Sequence, residues 1–234
     1  MEINVFIEEL KKINIELTKE QLDRLEKYYS LLIEENEKIN LTSITEKKEV
    51  YLKHFYDSLT LVKIIDLNSI ETLCDIGTGA GFPGMIIKII FPNIKVILVD
   101  SLNKRIQFLN KIIEKLNLKE IETFHARIEE FGIINREKYD VVTARAVSNL
   151  NTLLEYAIPM VKVNGYFISM KSNIEEEIKN IDSALNKLNT KIDKIEEFYL
   201  PIENSKRTLI RFKKYKNTLK IYPRKYSVIK QKPL

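Results

Sequence analysis

Four of the six glycines in this chain fall within eight residues, at Gly77, Gly79, Gly81 and Gly84, in the run Asp75-Ile-Gly-Thr-Gly-Ala-Gly-Phe-Pro-Gly84. A chain that uses glycine so sparingly concentrates it where the backbone turns at positive φ or where a ligand approaches closer than a Cβ permits. An apolar run, Thr72–Asp75, precedes the cluster, and apolar residues at helical spacing, Gly84–Phe91, follow it. Strand, glycine turn and helix in that order make the nucleotide-cofactor corner of a doubly wound α/β fold.

The rest of the chain supports that class. From residue 70 onward, strand and helix patterns alternate, as a mostly parallel sheet requires. Strands are expected at Thr72–Asp75, Lys95–Val99, Ile121–His125, Tyr139–Ala144 and Tyr166–Met170. Helices are expected at Gly84–Phe91, Lys104–Leu116, Asn151–Val161 (stopping at Asn164-Gly165) and Ile174–Leu188. Two late strands, about Ile192–Tyr199 and Thr208–Lys213, read as a hairpin at the sheet edge. The expectation is a Rossmann-like, seven-stranded, mostly parallel sheet ending in an antiparallel hairpin. Residues 1–66 read as helical, with a capping-box signature at Thr18 and Gln21. Three parts follow: an N-terminal helical extension (1–66), a catalytic domain (67–213) and a basic C-terminal tail (214–234).

Composition narrows the setting. The single cysteine, Cys74, excludes an internal disulfide and a multi-cysteine zinc site, and no metal is expected. The acidic, amphipathic start is unlike a signal peptide, and no apolar run approaches the roughly 18 residues of a membrane span. A soluble, cytoplasmic monomer without membrane attachment is expected. Net charge is +5 but uneven: Asn204–Leu234 holds eleven bases and no acid. An acidic body with a basic strip suggests a polyanionic partner met by one face. A Lys-guarded edge strand is the plainer alternative.

The glycine turn departs from the dinucleotide pattern. G-x-G-x-x-G wants glycine where Phe82 stands, and Pro83 removes a backbone donor from the helix N-terminus. Asp75 adds a carboxylate that would repel phosphate and favour a sulfonium. S-adenosylmethionine satisfies all three observations, with Gly77, Gly79 and Phe82 around it. Asp100, ending the second strand, is placed to accept from ribose hydroxyls, or else to cap the next helix. Ile128 and Glu129 lie where the loop after the third strand flanks an adenine, although the same stretch reads as an ordinary helix start. Arg145 ends a central parallel strand and points into the ligand crevice, or pairs with Asp75. His54 is open between a structural and a functional role. No P-loop is present, and the Asn/Asp-Pro-Pro-Tyr/Phe segment of many exocyclic-amine methyltransferases is absent. A nucleophile that needs no deprotonation, such as guanine N7, suits such a site.

Together these stretches resemble one family. His54-Phe-Tyr-Asp-Ser-Leu59, the 75–84 run with Gly-Phe-Pro-Gly, Val99-Asp-Ser-Leu-Asn-Lys-Arg-Ile-Gln-Phe-Leu109, Arg127-Ile-Glu-Glu130, Asp140-Val-Val-Thr-Ala-Arg-Ala146, Met170-Lys171, Lys206-Arg207, Tyr222-Pro-Arg224 and Lys232-Pro-Leu234 are similar to the bacterial small-subunit rRNA guanine-N7 methyltransferases (RsmG/GidB). The resemblance implies a class I S-adenosylmethionine-dependent methyltransferase. It implies cofactor contacts at Gly77, Phe82, Ile128, Glu129 and Arg145, and 16S rRNA or the small ribosomal subunit as partner. RNA contacts are expected at His54, Lys206, Arg207 and Arg224, with Arg145 as the catalytic-site residue. The rival reading is an RNA-binding module with a vestigial cofactor pocket.

Overall fold

The computed structural model describes residues 1–234. Seven strands form one sheet in the order β3-β2-β1-β4-β5-β7-β6. They are β1 (Thr72–Ile76), β2 (Lys95–Asp100), β3 (Ile121–His125), β4 (Tyr139–Arg145), β5 (Val161–Lys171), β6 (Thr190–Tyr199) and β7 (Lys206–Lys214). β1 to β5 are parallel; β7 runs antiparallel to β5, and β6 antiparallel to β7. The strand order reverses between β1, β2 and β4, so the carboxyl ends of these strands splay into the crevice where such folds bind ligands.

Strand side chains alternate between two cores, as period-two geometry demands. Leu73, Val96, Leu98, Val141 and Leu209 face one layer, and Cys74, Ile97, Val99, Val142 and Ile210 face the other. The first layer holds α5 (Gly84–Ile90), α6 (Asn103–Lys115) and the N-terminal helices α1 (Ile3–Lys12) and α2 (Lys19–Ile39). The second holds α7 (Ile128–Ile134), α8 (Leu150–Ala157), α9 (Asp182–Leu188) and α10 (Tyr226–Gln231). No helix is long and apolar enough to cross a membrane.

The N-terminal helices dock by aromatic packing. The capping box forms at Thr18 and Gln21, and the Gln21 amide also donates to the Ile90 carbonyl of α5 at 2.9 Å. Tyr28 of α2 is fully buried among Phe55, Phe82 and Phe108. The helical stretch expected after residue 46 is broken into α3 (Lys47–Val50), a π-helical stretch (Tyr51–Tyr56), α4 (Asp57–Leu59) and a 3₁₀ turn (Thr60–Lys63). Such π-insertions shift the side-chain register and recur at functional sites.

Three local expectations need correction. α8 stops at Ala157, ahead of the 3₁₀ turn that contains Pro159, whose ring cannot continue the helix. Asn164-Gly165 lies instead inside β5, where pairing with β4 jumps from Tyr139↔Val161 to Val141↔Tyr166. The charged helix expected over Ile174–Leu188 begins only at Asp182, after a 3₁₀ turn at Ile178–Asn180. The diversion has a tertiary cause: the Glu177 carboxylate turns away to accept from the Leu150 amide and Lys171.

The basic C-terminal segment is packed onto the second layer. Tyr222, Ile229 and Leu234 are buried there. Arg136 donates to the carbonyls of Thr218, Leu219 and Tyr222. Lys214 is wholly buried between Glu137 and the Ile158 carbonyl, and burial lowers its pKa to about 8. Arg224 donates to both carboxylate oxygens of the fully buried Glu155, at 2.8 and 2.6 Å. Breaking such a pair leaves one charge buried and unmatched. Arg224→Ala should therefore cost about 3 kcal/mol of stability in urea unfolding. The double variant Arg224→Met with Glu155→Leu should recover much of that loss.

Candidate active site

Asp75 organises the glycine turn from behind. Its Oδ2 accepts from the Thr78 hydroxyl at 2.6 Å and from the Gly84 amide at 2.9 Å, so one carboxyl group holds both ends of the loop. Gly84 has no alternative residue: a Cβ there would meet Leu98 and lie 2.9 Å from the Asp75 Cβ. Asp75 has no exposed surface, and its Oδ1 has no partner. Burial raises its pKa to about 7, against the two hydrogen bonds and the charge of Arg145. The carboxyl group thus supports the loop from the protein interior, where the sequence suggested a charge facing the ligand.

Asp100 joins the turn to the next βα unit. Its Oδ2 accepts from the Gly79 amide at 2.9 Å and from Arg105 at 3.2 Å, and its Oδ1 accepts from the Leu102 amide at 2.9 Å. An ionised carboxylate offers about four acceptor positions, so one on Oδ1 remains. Gly79 has φ +61° and no atom within 4 Å of where a Cβ would project, so the turn is open to a ligand there.

Beside Asp100 lies a cleft of about 700 Å³. It is lined by Ala126, Ile128, Glu129, Val147, Ser148 and Tyr156 among others. Ile128 and Glu129 open α7, the helix start that the sequence allowed, and they also line this cleft.

A second cleft, of about 470 Å³, lies across the loop that follows β4. Arg145 and Ala146 face this cleft, and Val147 and Ser148 face the first. Its wall brings together His54, Asp57, Arg145 and Arg207 with Lys171 and Glu177. Arg145 donates to the Lys53 carbonyl at 2.9 Å and to Asp57 Oδ2 at 3.1 Å. Arg207 donates to Asp57 Oδ1 at 3.0 Å. The ion-pair partner of Arg145 is therefore Asp57, and Asp75 is not in contact with it.

His54 is held neutral. Arginine only donates, so the 3.2 Å contact from Arg145 makes Nδ1 the acceptor. Nε2 then carries the proton and donates to Thr42 Oγ1 at 2.8 Å. Burial and the Arg145 charge lower its pKa to about 3. The ring stacks on Phe82 at 4.4 Å between centroids, and the Arg145 guanidinium lies 5.3 Å from the same Phe82 ring. Phe82 is buried by these contacts and its ring lines neither cleft.

The other sequence-selected cations divide. Arg207 joins the site, Lys206 pairs with Glu197 at its edge, and Arg224 lines neither cleft, its guanidinium taken by Glu155. Lys171 and Glu177, paired at 2.6 Å, were not selected from sequence, nor was Thr42. Asp57 carried a signal, lying three positions after His54 on one helix face.

The family model described as rRNA small subunit methyltransferase G (GidB) matches residues 21–209. This chain belongs to that family. The rRNA small subunit methyltransferase G of Bacillus subtilis is 49% identical over 100% of this chain and 99% of its own length. That of Acetivibrio thermocellus is 48% identical over 98% of this chain and 96% of its own length. Among solved structures, M. jannaschii TYW2 in complex with AdoMet aligns with TM-score 0.57, 13% identity, 74% of this chain and 79% of its own. A SAM dependent methyltransferase from Aquifex aeolicus aligns with TM-score 0.52, 17% identity, 71% of this chain and 93% of its own. At such identities the structures show the shared fold, and the GidB membership rests on the sequence.

Asp75 and His54 give opposite pH signatures. Asp75 keeps its proton in the folded protein up to about pH 7, whereas the unfolded chain releases it near the ordinary aspartate value of 3.8. The folded state binds the extra proton across that window, so this contribution is full below pH 3.8 and fades as pH rises through 7. His54, neutral when folded, contributes above the ordinary histidine value of 6.5, and that contribution is lost as pH falls toward 3. Asp75→Asn should remove the first slope: relative to wild type, the variant should gain unfolding free energy steadily from pH 4 to pH 7. Urea titrations at several pH values measure the difference.

Proposed function

We propose that this protein transfers a methyl group from S-adenosylmethionine to N7 of a guanine in small-subunit (16S) ribosomal RNA. The observation that carries the reading is the pair of clefts on either side of the loop after β4, one beside the glycine turn and Asp100 and one lined by His54, Arg145, Lys171 and Arg207 with Asp57 and Glu177, in a chain of the rRNA methyltransferase G family. The residues present fit the cofactor. Gly79 leaves open space at the turn, Asp100 keeps an acceptor position for a ribose hydroxyl, and Ile128 and Glu129 wall the neighbouring cleft. Gly77, at φ +67°, packs against Val147 of that cleft's wall.

When bound, S-adenosylmethionine supplies an electrophilic methyl carbon. The protein's work is then positioning and exclusion of water. Guanine N7 has a lone pair and no proton at neutral pH, so no general base is required. The titratable groups of the second cleft agree with this. His54 donates to Thr42 and accepts from Arg145, and Asp57 is shared by two arginines. Arg145 acts as a positioning residue on the wall of the second cleft, at the start of the loop that separates it from the first, its charge balanced by Asp57.

In this reading, residues 1–66 shape the RNA-facing cleft, 67–213 carry the reaction, and 214–234 form a packed, basic outer surface. The protein works as a cytoplasmic monomer on the rRNA or on the small subunit. Lys216, Lys220 and Lys225 stand exposed on that outer surface and meet phosphates.

The central test supplies purified protein and S-adenosylmethionine to rRNA from cells lacking this gene, then maps N7-methylguanine. Methyl transfer to another atom, or none, overturns the proposal. Arg145→Ala should lower transfer by roughly 10²-fold, as expected for a misplaced reactant, with the circular dichroism of the fold retained. Affinity for rRNA should fall steeply with salt. Replacing Lys216, Lys220 and Lys225 by Gln should flatten the log–log salt slope by about 2; an unchanged slope would place the phosphate contacts elsewhere.

A further inference from the structure

We infer that the Lys171–Glu177 pair reads the edge of the target base and makes the second cleft selective for guanine. The inference rests on the methyltransferase reading above and adds the residues that choose the base.

The cleft offers few groups free to read a base. Of its two lining carboxylates, Asp57 is 5% exposed and gives one oxygen to each of Arg145 and Arg207. Lys53 is held by Glu49 and Glu203. Glu177 differs. Its side chain keeps 27% of its surface, and it faces the cleft beside Lys171. Glu177 Oε2 accepts from Lys171 at 2.6 Å and from the Leu150 amide at 2.7 Å, whereas Oε1 accepts only from Lys171 at 2.8 Å. Lys171 in turn is fixed by the Ser148 carbonyl at 2.8 Å. The pair is therefore pre-oriented from two sides, with acceptor capacity remaining on Oε1.

Its place in the fold sets the distance from the chemistry. Lys171 ends β5, beside the end of β4, where Arg145 pairs with Met170. It thus stands one strand further from the cofactor cleft than Arg145. A base whose N7 points toward that cleft presents its opposite edge to this wall. Ile44, Met170 and Leu209 supply apolar surface for the ring faces.

Guanine matches the pair. The three N–H donors of Lys171 are taken by Ser148 and Glu177, so Lys171 orients the carboxylate, and the one acceptor position left on Glu177 Oε1 takes the guanine 2-amino group. Enzymes that act on extruded bases use this edge for selection. Adenine has no 2-amino group and leaves that acceptor position unfilled. Leaving buried polar groups unpaired in this way is what rejects the wrong substrate.

Inosine tests the assignment, since it keeps N7, O6 and N1–H and lacks only the 2-amino group. Once the modified guanine is mapped, small-subunit rRNA is assembled by ligation with guanosine or inosine at that one position. Wild-type kcat/KM for inosine should be lower by roughly tenfold or more, the usual effect of losing a hydrogen bond to a charged group. Glu177→Ala should bring transfer to guanine down toward the inosine level and erase the ratio between the two. That ratio does not depend on how much of the variant is folded. Glu177→Gln, whose oxygen stays with the Leu150 amide, turns an NH2 toward the base in place of Oε1 and should erase the ratio as well, while keeping the Leu150 contact. Equal wild-type rates on guanine and inosine, or an undiminished ratio in Glu177→Ala, would overturn this inference and leave the methyltransferase reading standing. No transfer to either RNA by the wild-type protein would overturn both.

Discussion

The structure depends on one shared carboxylate. Asp57 is almost fully buried and holds Arg145 of β4 and Arg207 of β7 on its two oxygens. A buried charge is tolerated only when paired and hydrogen-bonded, so the helical segment carrying Asp57 must sit over the carboxyl ends of those strands. His54 and the Lys53 carbonyl come with it, and each takes a further bond from Arg145. This one cluster fixes the N-terminal layer on the sheet, aims the Arg145 guanidinium at Phe82, and closes one side of the second cleft.

A second carboxyl group does similar work in the opposite charge state. Asp75 holds the glycine turn closed through Thr78 and Gly84, and burial favours its protonated form. The loop is thus shaped by hydrogen bonds from the interior, leaving the open backbone at Gly79 on the ligand side. Between these two fixed points, the loop after β4 divides the crevice into its two clefts.

Much of the site was legible in the sequence. The turn at 77–84, the ends of β2 and β4 at Asp100 and Arg145, and the Ile128–Glu129 stretch declare themselves through local patterns, because strand ends and turns are local events. Arg207 was singled out too, although its partner was not. What stayed hidden depends on long-range pairing. Arg145 finds its counter-ion 88 positions away, Arg207 finds the same one 150 away, and Glu177 reaches 27 back to the Leu150 amide. The basic C-terminal strip was legible only in part for the same reason: its charge is plain in the sequence, but the partners Glu137 and Glu155 that pair with Lys214 and Arg224 are not.

The sequence by itself determined the order of strands and helices, the glycine turn and the family. Periodicity and glycine placement act over a few residues and leave their mark in the chain. Only the tertiary structure decided which charges are spent on holding the molecule together and which are left to meet a ligand. Phe82 shows the difference. In the sequence it marks a turn unsuited to pyrophosphate; in the fold its ring stacks on His54 and lies under Arg145, joining the turn to the helical layer. Burial and pairing are properties of the folded whole, so the division between structural and ligand-facing groups appears only there.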